Sequence, residues 1–401
     1  MHAENRDRAI LLRNGRIIDP ANGIDEVGDV LVAGGEIRKI GSVPTPAAAQ
    51  VVDVTGALVV PGLIDIHTHL YSGLSPLGFD PSAFSFRDGV TTVVDAGTAG
   101  AYGVQGLLSE VIRPSAGRAL AFLNLSTIGI SHNPVGELIG MRHIDRDRLV
   151  HELNEHRREL LGVKLRLSDW VFDGDVDDAR EGFELALAVA EQTGTRLMVH
   201  VVDPILPLRE VFDALRPGDI VTHVFHDMRG ETILDSEQTF RSVAEAQERG
   251  VTLDVGCGRG AMSFEVMRKA HERGLVADTV SSDLTNETVD GPVFGLTATM
   301  SKVLGSGMTL NEVIAGVTSN AAKAIGREAD LGNLTPGTVA DVSVLTLNEG
   351  AFDFENVNYF TRQSERLQTT RAFAPLLSLR AGGMSLQTGD VSITAAGRGD
   401  R

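Results

Sequence analysis

A chain of 401 residues exceeds the length at which a single core usually stops growing, so one large unit with a smaller second domain is expected. Hydrophobic residues at 42% and charged residues at 22% exclude an extensively disordered chain. The net charge of −18 (54 acidic against 36 basic residues) disfavours nucleic acid and anionic membranes and points to a small-molecule partner.

Asp, His and Lys interrupt every long apolar stretch before the roughly 20 residues that a bilayer requires. The lone Cys257 cannot form an internal disulfide, and the polar opening lacks the apolar core of a signal peptide, so a cytoplasmic location is expected. Between Ala9 and Val54, AILLRNGRII, GDVLVAGGEIRKI and QVVDV, broken by Gly, Asn and Pro, predict a small β-structure that ends near Pro61-Gly62. From Leu63 onward, strand-like segments alternate with helix-length ones. The predicted strands are LIDIHTHL, VTTVVDAG, ALAFLNLS, GVKLRLS, RLMVHVV, DIVTHVF, VTLDVG and TVSSDL. EGFELALAVAEQTG and SEQTFRSVAEAQERG read as amphipathic helices closed by Gly. Eight such units suggest a (β/α)8 TIM barrel. An open doubly wound sheet is disfavoured because no G-x-G-x-x-G follows the first strand. After Gly332, NLTPGTVADVSVLTL and RAFAPLLSLRAGGMSLQTG return to β character. The expected organisation is an α/β barrel over residues 61–332, with residues 1–60 and 333–401 forming one composite β-domain. The closing GDVSITAAGRGDR reads as a loose tail.

His67-Thr68-His69 ends the first barrel strand, and period-two geometry turns both imidazoles to one side. Alone, such a pair is as readily two hydrogen-bonded core histidines. His200, His223 and Asp283, however, each fall in the C-terminal part of a predicted strand, at the face where barrel active sites assemble. Lys164 lies inside the apolar strand GVKLRLS, where an ammonium is costly to bury and cannot ligate a cation. Either it pairs with a carboxylate such as Asp95, or its neutral amine takes up carbon dioxide to give a carbamate able to bridge two metals.

V-V-P-G-L-I-D-I-H-T-H, followed by Lys164, His200, His223 and Asp283 and by the return segment G-N-L-T-P-G-T-V-A-D-V, resembles the amidohydrolase superfamily over nearly the whole chain. The resemblance implies two divalent metals, zinc fitting the His-rich set best. His67 and His69 would hold the more buried one, His200 and His223 the more exposed one, and carboxylated Lys164 would bridge them. It implies that Asp283 ligates the buried metal and acts as general base and then general acid, while a hydroxide shared by the metals attacks an amide or ester carbonyl.

Dihydroorotases usually carry an Arg after the H-x-H, whereas Leu70-Tyr71-Ser72 stands here. DAGTAGAY, STIGISHNPVGEL, THVFHDMRG and LDVGCGRGAMSF are instead similar to a dihydroorotase-like branch that hydrolyses acyl derivatives of small α-hydroxy or D-amino acids. Such a substrate carries a carboxylate, for which Arg259 or Arg229 is the candidate clamp. Arg166, on the strand face of Lys164, is a candidate support for the metals. Tyr102, Ser131, His132 and Asn133 are candidate pocket residues, and His226 a candidate substrate contact. Cys257 is expected to be packed, and His143, His151, His156 and His271 to lie on the surface. The rival functions are a cyclic-amide hydrolase of dihydroorotase or hydantoinase type and a non-catalytic scaffold of the same fold. A homo-oligomer fits the family.

Overall fold

Seven of the eight predicted barrel strands form one curled parallel sheet in the computed structural model of the chain, which describes residues 9–131, 136–388 and 393–395. They are Leu63–Thr68, Val90–Gly100, Arg118–Asn124, Leu160–Arg166, Arg196–His200, Ile220–Thr222 and Thr252–Asp254, each beside its neighbour in sequence. The eighth segment, residues 279–284, forms no strand of its own and instead meets both edges of the sheet. Thr279 bridges Asp254 and Leu284 bridges Thr68. The Val255 and Cys257 amides donate to the Thr279 and Ser281 carbonyls at 3.0 Å, and the Asp283 amide donates to the His67 carbonyl at 2.8 Å. Asp283 adopts φ 48°, a left-handed conformation that interrupts an extended ladder, which is why this segment departs from the expected strand.

Helices cover the outside and end where the sequence provides caps. Val176–Thr193 begins at Asp175, whose carboxylate accepts from the Asp177 and Asp178 amides, and stops at Gly194 with φ 63°. Glu237–Arg249 is likewise framed by Ser236 and Gly250. None of the described helices is long and apolar enough to cross a membrane.

On the concave side of the sheet, Ile64, Ile66, Val94, Leu120, Phe122, Met198 and Ile220 pack against the short helix Ser319–Ala324 and the following Ile325. This apolar plug fills the end where the strands begin. Two residues further along the same faces stand polar groups: His200 after Met198 and Thr222 after Ile220, with Lys164 beside Met198 in register. The sheet therefore raises its ionisable side chains above an apolar floor.

Both chain ends supply a second, nine-stranded sheet. Val342–Val357 pairs antiparallel with Leu58–Pro61, which lies beside Ile10–Asp19. Ile393–Ala395 pairs with Gln50–Val52, so that part of the expected loose tail is a strand. The remaining tail residues, 389–392 and 396–401, lie outside the described residues. Val342–Val357 and Ser364–Arg380 form a long hairpin whose tip reaches back over the parallel sheet.

Candidate metal centre and active site

The six residues singled out as ligands converge at the C-terminal ends of the parallel strands. His67 Nε2 and His69 Nε2 each lie 3.3 Å from Asp283 Oδ1, and His223 Nε2 lies 3.9 Å from Asp283 Oδ2. Lys164 Nζ is 3.4 Å from His67 Nε2, and the His200 and His223 rings are 4.4 Å apart. Ligand atoms of His67, His223 and Asp283 all fall within 4.8 Å of one another, a group able to hold a metal ion. His223 and Asp283 both have left-handed backbones, φ 66° and 48°. Such strain persists where surrounding structure enforces it, as at functional sites.

Fixed partners behind the ring set the imidazole protons. The Thr222 hydroxyl donates to Asp254 Oδ2 at 2.7 Å, so its oxygen accepts from His67 Nδ1–H at 2.9 Å. His223 Nδ1–H donates to the Gly256 carbonyl at 2.6 Å. Both arrangements leave Nε2 as a lone pair facing the Asp283 carboxylate, that of His67 also within reach of Lys164 Nζ. His69 Nδ1 shares a hydrogen with the Thr98 hydroxyl at 2.8 Å. The Nε2 atoms of His200 and His223 are buried without a hydrogen-bond partner. Gly256 is needed here: with φ 52°, a Cβ would stand 2.3 Å from Thr222 Oγ1 and 2.6 Å from His223 Nδ1.

Burial dominates the electrostatics. It pushes the His67 and His200 pKa well below the usual imidazole value and that of His223 to about 4, so all three are neutral at pH 7. Burial also lowers Lys164 to about 7, against the pull of Asp283 and Asp254, leaving much of its amine neutral. The Asp283 carboxyl is pushed up by burial, but the His69 hydrogen bond and the neighbouring His223, His69 and Lys164 outweigh this and hold it below its ordinary value. Asp254, raised by burial to about 6, accepts from Thr222, Thr279 and Ser281. Asp95 is not the partner of Lys164; its carboxylate accepts from the Leu70 and Thr98 amides and shapes the loop after the second strand.

A cavity of ≈ 450 Å³ opens over this cluster, with His200, His223 and Asp283 on its floor. Arg229 and Arg259 line its wall, Arg229 bonded to Asp203 and Arg259 3.5 Å from Glu287. Arg166 also reaches the cavity, 2.7 Å from Glu137 and over the Trp170 ring. Tyr102 does not line it: the residue is 66% exposed and its hydroxyl donates to Asp145. His226 is buried away from it, its Nδ1 accepting from the Met228 amide. His132 and Asn133 lie outside the described residues. Cys257 is buried, as expected. His156, expected on the surface, is only 19% exposed and sits 3.3 Å from Glu152.

The sequence reading missed the residues behind the ring, Thr98, Thr222 and Asp254. A signal was present, since Asp254 inside VTLDVG is a carboxylate on an otherwise apolar strand. It also missed Trp170, Tyr359 and Phe360. The last two arrive from the hairpin tip, where Phe360 faces Trp170 at 5.6 Å and stacks on Arg229 at 4.9 Å. Asn356 anchors the tip by accepting from the Gly260 amide and donating to the Met262 carbonyl.

The model of the amidohydrolase family matches residues 58–369. The chain belongs to this family. The amidohydrolase is 34% identical over 363 residues to a deacetylase of Agrobacterium fabrum, covering 89% of this chain and 88% of that protein. It is 35% identical over 346 residues to a deacetylase of Brucella anthropi, with 86% and 85% covered. The crystal structure of a dihydroorotase superposes with a TM-score of 0.83 at 32% identity, over 94% of this chain and 98% of that one. This amidohydrolase is accordingly an enzyme, a hydrolase of amide or ester bonds.

Proposed function

We propose that this amidohydrolase is a metal-dependent deacylase that removes an acyl group, acetyl foremost, from a small carboxylate-bearing N-acyl-D-amino acid or O-acetyl hydroxy acid. The observation that carries the reading is the set of bare imidazole nitrogens around one carboxylate. The Nε2 atoms of His200 and His223 are buried with no hydrogen-bond partner, and that of His223 faces the Asp283 carboxylate with no proton between them. Such a cluster is repulsive, and each buried unpaired polar group costs roughly 1–3 kcal/mol. Divalent cations remove both costs, so the donor set fits them.

In this reading His67, His69 and Asp283 would hold one ion and His200 and His223 a second. Lys164, carboxylated when its neutral amine adds to carbon dioxide with formation of an N–C bond and loss of a proton, would supply a further anionic ligand. Zinc suits these donors. When bound, the ions polarise the scissile carbonyl and lower the pKa of water. The rest falls to the chain. Asp283 takes a proton from the attacking water and returns it to the departing nitrogen or oxygen, leaving a carboxylic acid and an amine or alcohol. His67 and His223 are kept in one tautomer by Thr222 and Gly256. Arg229 and Arg259, at the cavity wall, receive the substrate carboxylate.

We also read the seven strands and segment 279–284 as a (β/α)8 barrel over residues 61–332, beside a composite β-domain of residues 1–60 and 333–401. The deacetylase relatives, aligned over most of their length, support deacylation. The likeness to a dihydroorotase structure favours one second reading, a cyclic-amide hydrolase. Assaying metal-replete enzyme on N-acetyl-D-amino acids, O-acetyl hydroxy acids, dihydroorotate and hydantoins decides between them. Acetate release is expected, and ring opening without deacylation would overturn the proposal.

A further inference from the structure

The opposite end of the same strands holds a second cavity, unconnected with the reaction proposed above. It measures ≈ 790 Å³, and Arg157, Arg158, Arg196 and Arg327 line it together with Thr195 and Gly326. Leu160 and Arg196 begin the fourth and fifth parallel strands and also line it, so it opens at the end remote from His200 and Asp283. No acidic residue lines it, in a chain where acids outnumber bases 54 to 36.

The guanidinium groups there are short of counter-charge. Arg196 is partly buried, and burial lowers its pKa. Its donors go to the Gly218 and Lys323 carbonyls, both at 2.9 Å, while Glu328 and Asp219 act on it only from beyond ion-pair distance. Arg157 donates to the neutral Asn154 side chain. Arg158 has no hydrogen bond or ion pair among the described residues. Of the four, only Arg327 is ion-paired, to Asp330. Gathering like charges around one concavity is unfavourable unless an anion completes it. Guanidinium forks match the paired oxygens of phosphate and carboxylate, and the volume falls within the roughly 300–1,000 Å³ typical of small-molecule sites.

We propose that this cavity is a binding site for a small multiply charged oxyanion, a phosphate ester or a polycarboxylate, distinct from the hydrolytic site.

The test is calorimetric titration of the full-length, metal-replete enzyme with two weakly chelating probes, fructose 1,6-bisphosphate and propane-1,2,3-tricarboxylate. Saturable binding of at least one probe is expected, and which one binds identifies the phosphate or the carboxylate source. Arg157→Gln/Arg158→Gln should weaken it about tenfold or more, the loss of charge-assisted hydrogen bonds, while unchanged turnover shows the variant is folded. Arg241→Gln, an exposed arginine on Glu237–Arg249, should leave binding within about twofold. The proposal is overturned if neither probe binds, if the double variant binds as well as the wild type, or if Arg241→Gln weakens binding equally.

Discussion

The floor and the wall of the hydrolytic cavity are built on different principles. On and beneath the floor, His67 and His69 at the end of the first parallel strand, His223 at the end of the sixth and Asp283 on the segment bonded to both sheet edges come together, and each of these histidines has its Nδ1 fixed by a threonine or a backbone carbonyl. On the wall, Arg229 and Arg259 are 56% and 39% exposed and lean on Phe360 and Tyr359, which come from the hairpin of the other sheet. Fixed groups suit bond chemistry, where small displacements cost rate. A wall assembled from loops can change with little effect on the floor, and the proposed contacts to substrate are placed there.

Substitutions on the two surfaces should therefore differ in kind. Asp283→Asn keeps the shape of the floor but removes the proposed proton carrier, so turnover should fall about 10²–10⁴-fold while reconstituted metal is largely retained. Full activity would remove Asp283 from that role. Lys164 gives the next largest effect, read through reactivation of metal-free enzyme by zinc with and without bicarbonate. Because burial lowers its pKa to about 7, the reactive neutral amine grows as pH rises through 7 and then saturates. Bicarbonate-dependent reactivation should rise with pH over that window and level off above it. Reactivation indifferent to bicarbonate would exclude the carbamate.

Gly256→Ala probes how rigid the floor is. The new methyl must enter the space of Thr222 Oγ1 and His223 Nδ1, so roughly 1–3 kcal/mol of stability should be lost, measurable by denaturant titration. On the wall, Phe360→Ala should raise KM about tenfold while kcat stays within about twofold, the signature of lost substrate binding. An equal fall in kcat would place Phe360 with the floor. Tyr102→Phe, which removes only an exposed hydrogen bond to Asp145, should alter steady-state kinetics by less than about twofold.

The same contrast governs what could be read from the sequence. Strand periodicity and the placement of ionisable residues at strand ends are local signals, and they marked His67, His200, His223 and Asp283 before any geometry was known. Lys164 stood out because a lysine within an apolar strand needs a reason. The eighth strand was marked at the right residues but as the wrong element, since nothing in TVSSDL announces the left-handed Asp283 that breaks it. Tyr359 and Phe360 gave no warning because they reach the cavity through the pairing of Val342–Val357 with Leu58–Pro61, a contact between distant parts of the chain. His226 lies in a loop that reaches the cavity through Met228 and Arg229, but side-chain direction, which the sequence does not disclose, turns it inward, and no residue of the loop that carries Tyr102 lines the cavity.

The most direct test of the account is metal content per chain, measured by mass spectrometry after reconstitution with zinc and bicarbonate and removal of free ions. Two ions per chain are expected in the wild type, with Lys164→Ala and His200→Ala each losing at least one and losing acetate release with it. Fewer than one ion per chain in fully folded wild-type enzyme, or undiminished hydrolysis by metal-free protein, would contradict it.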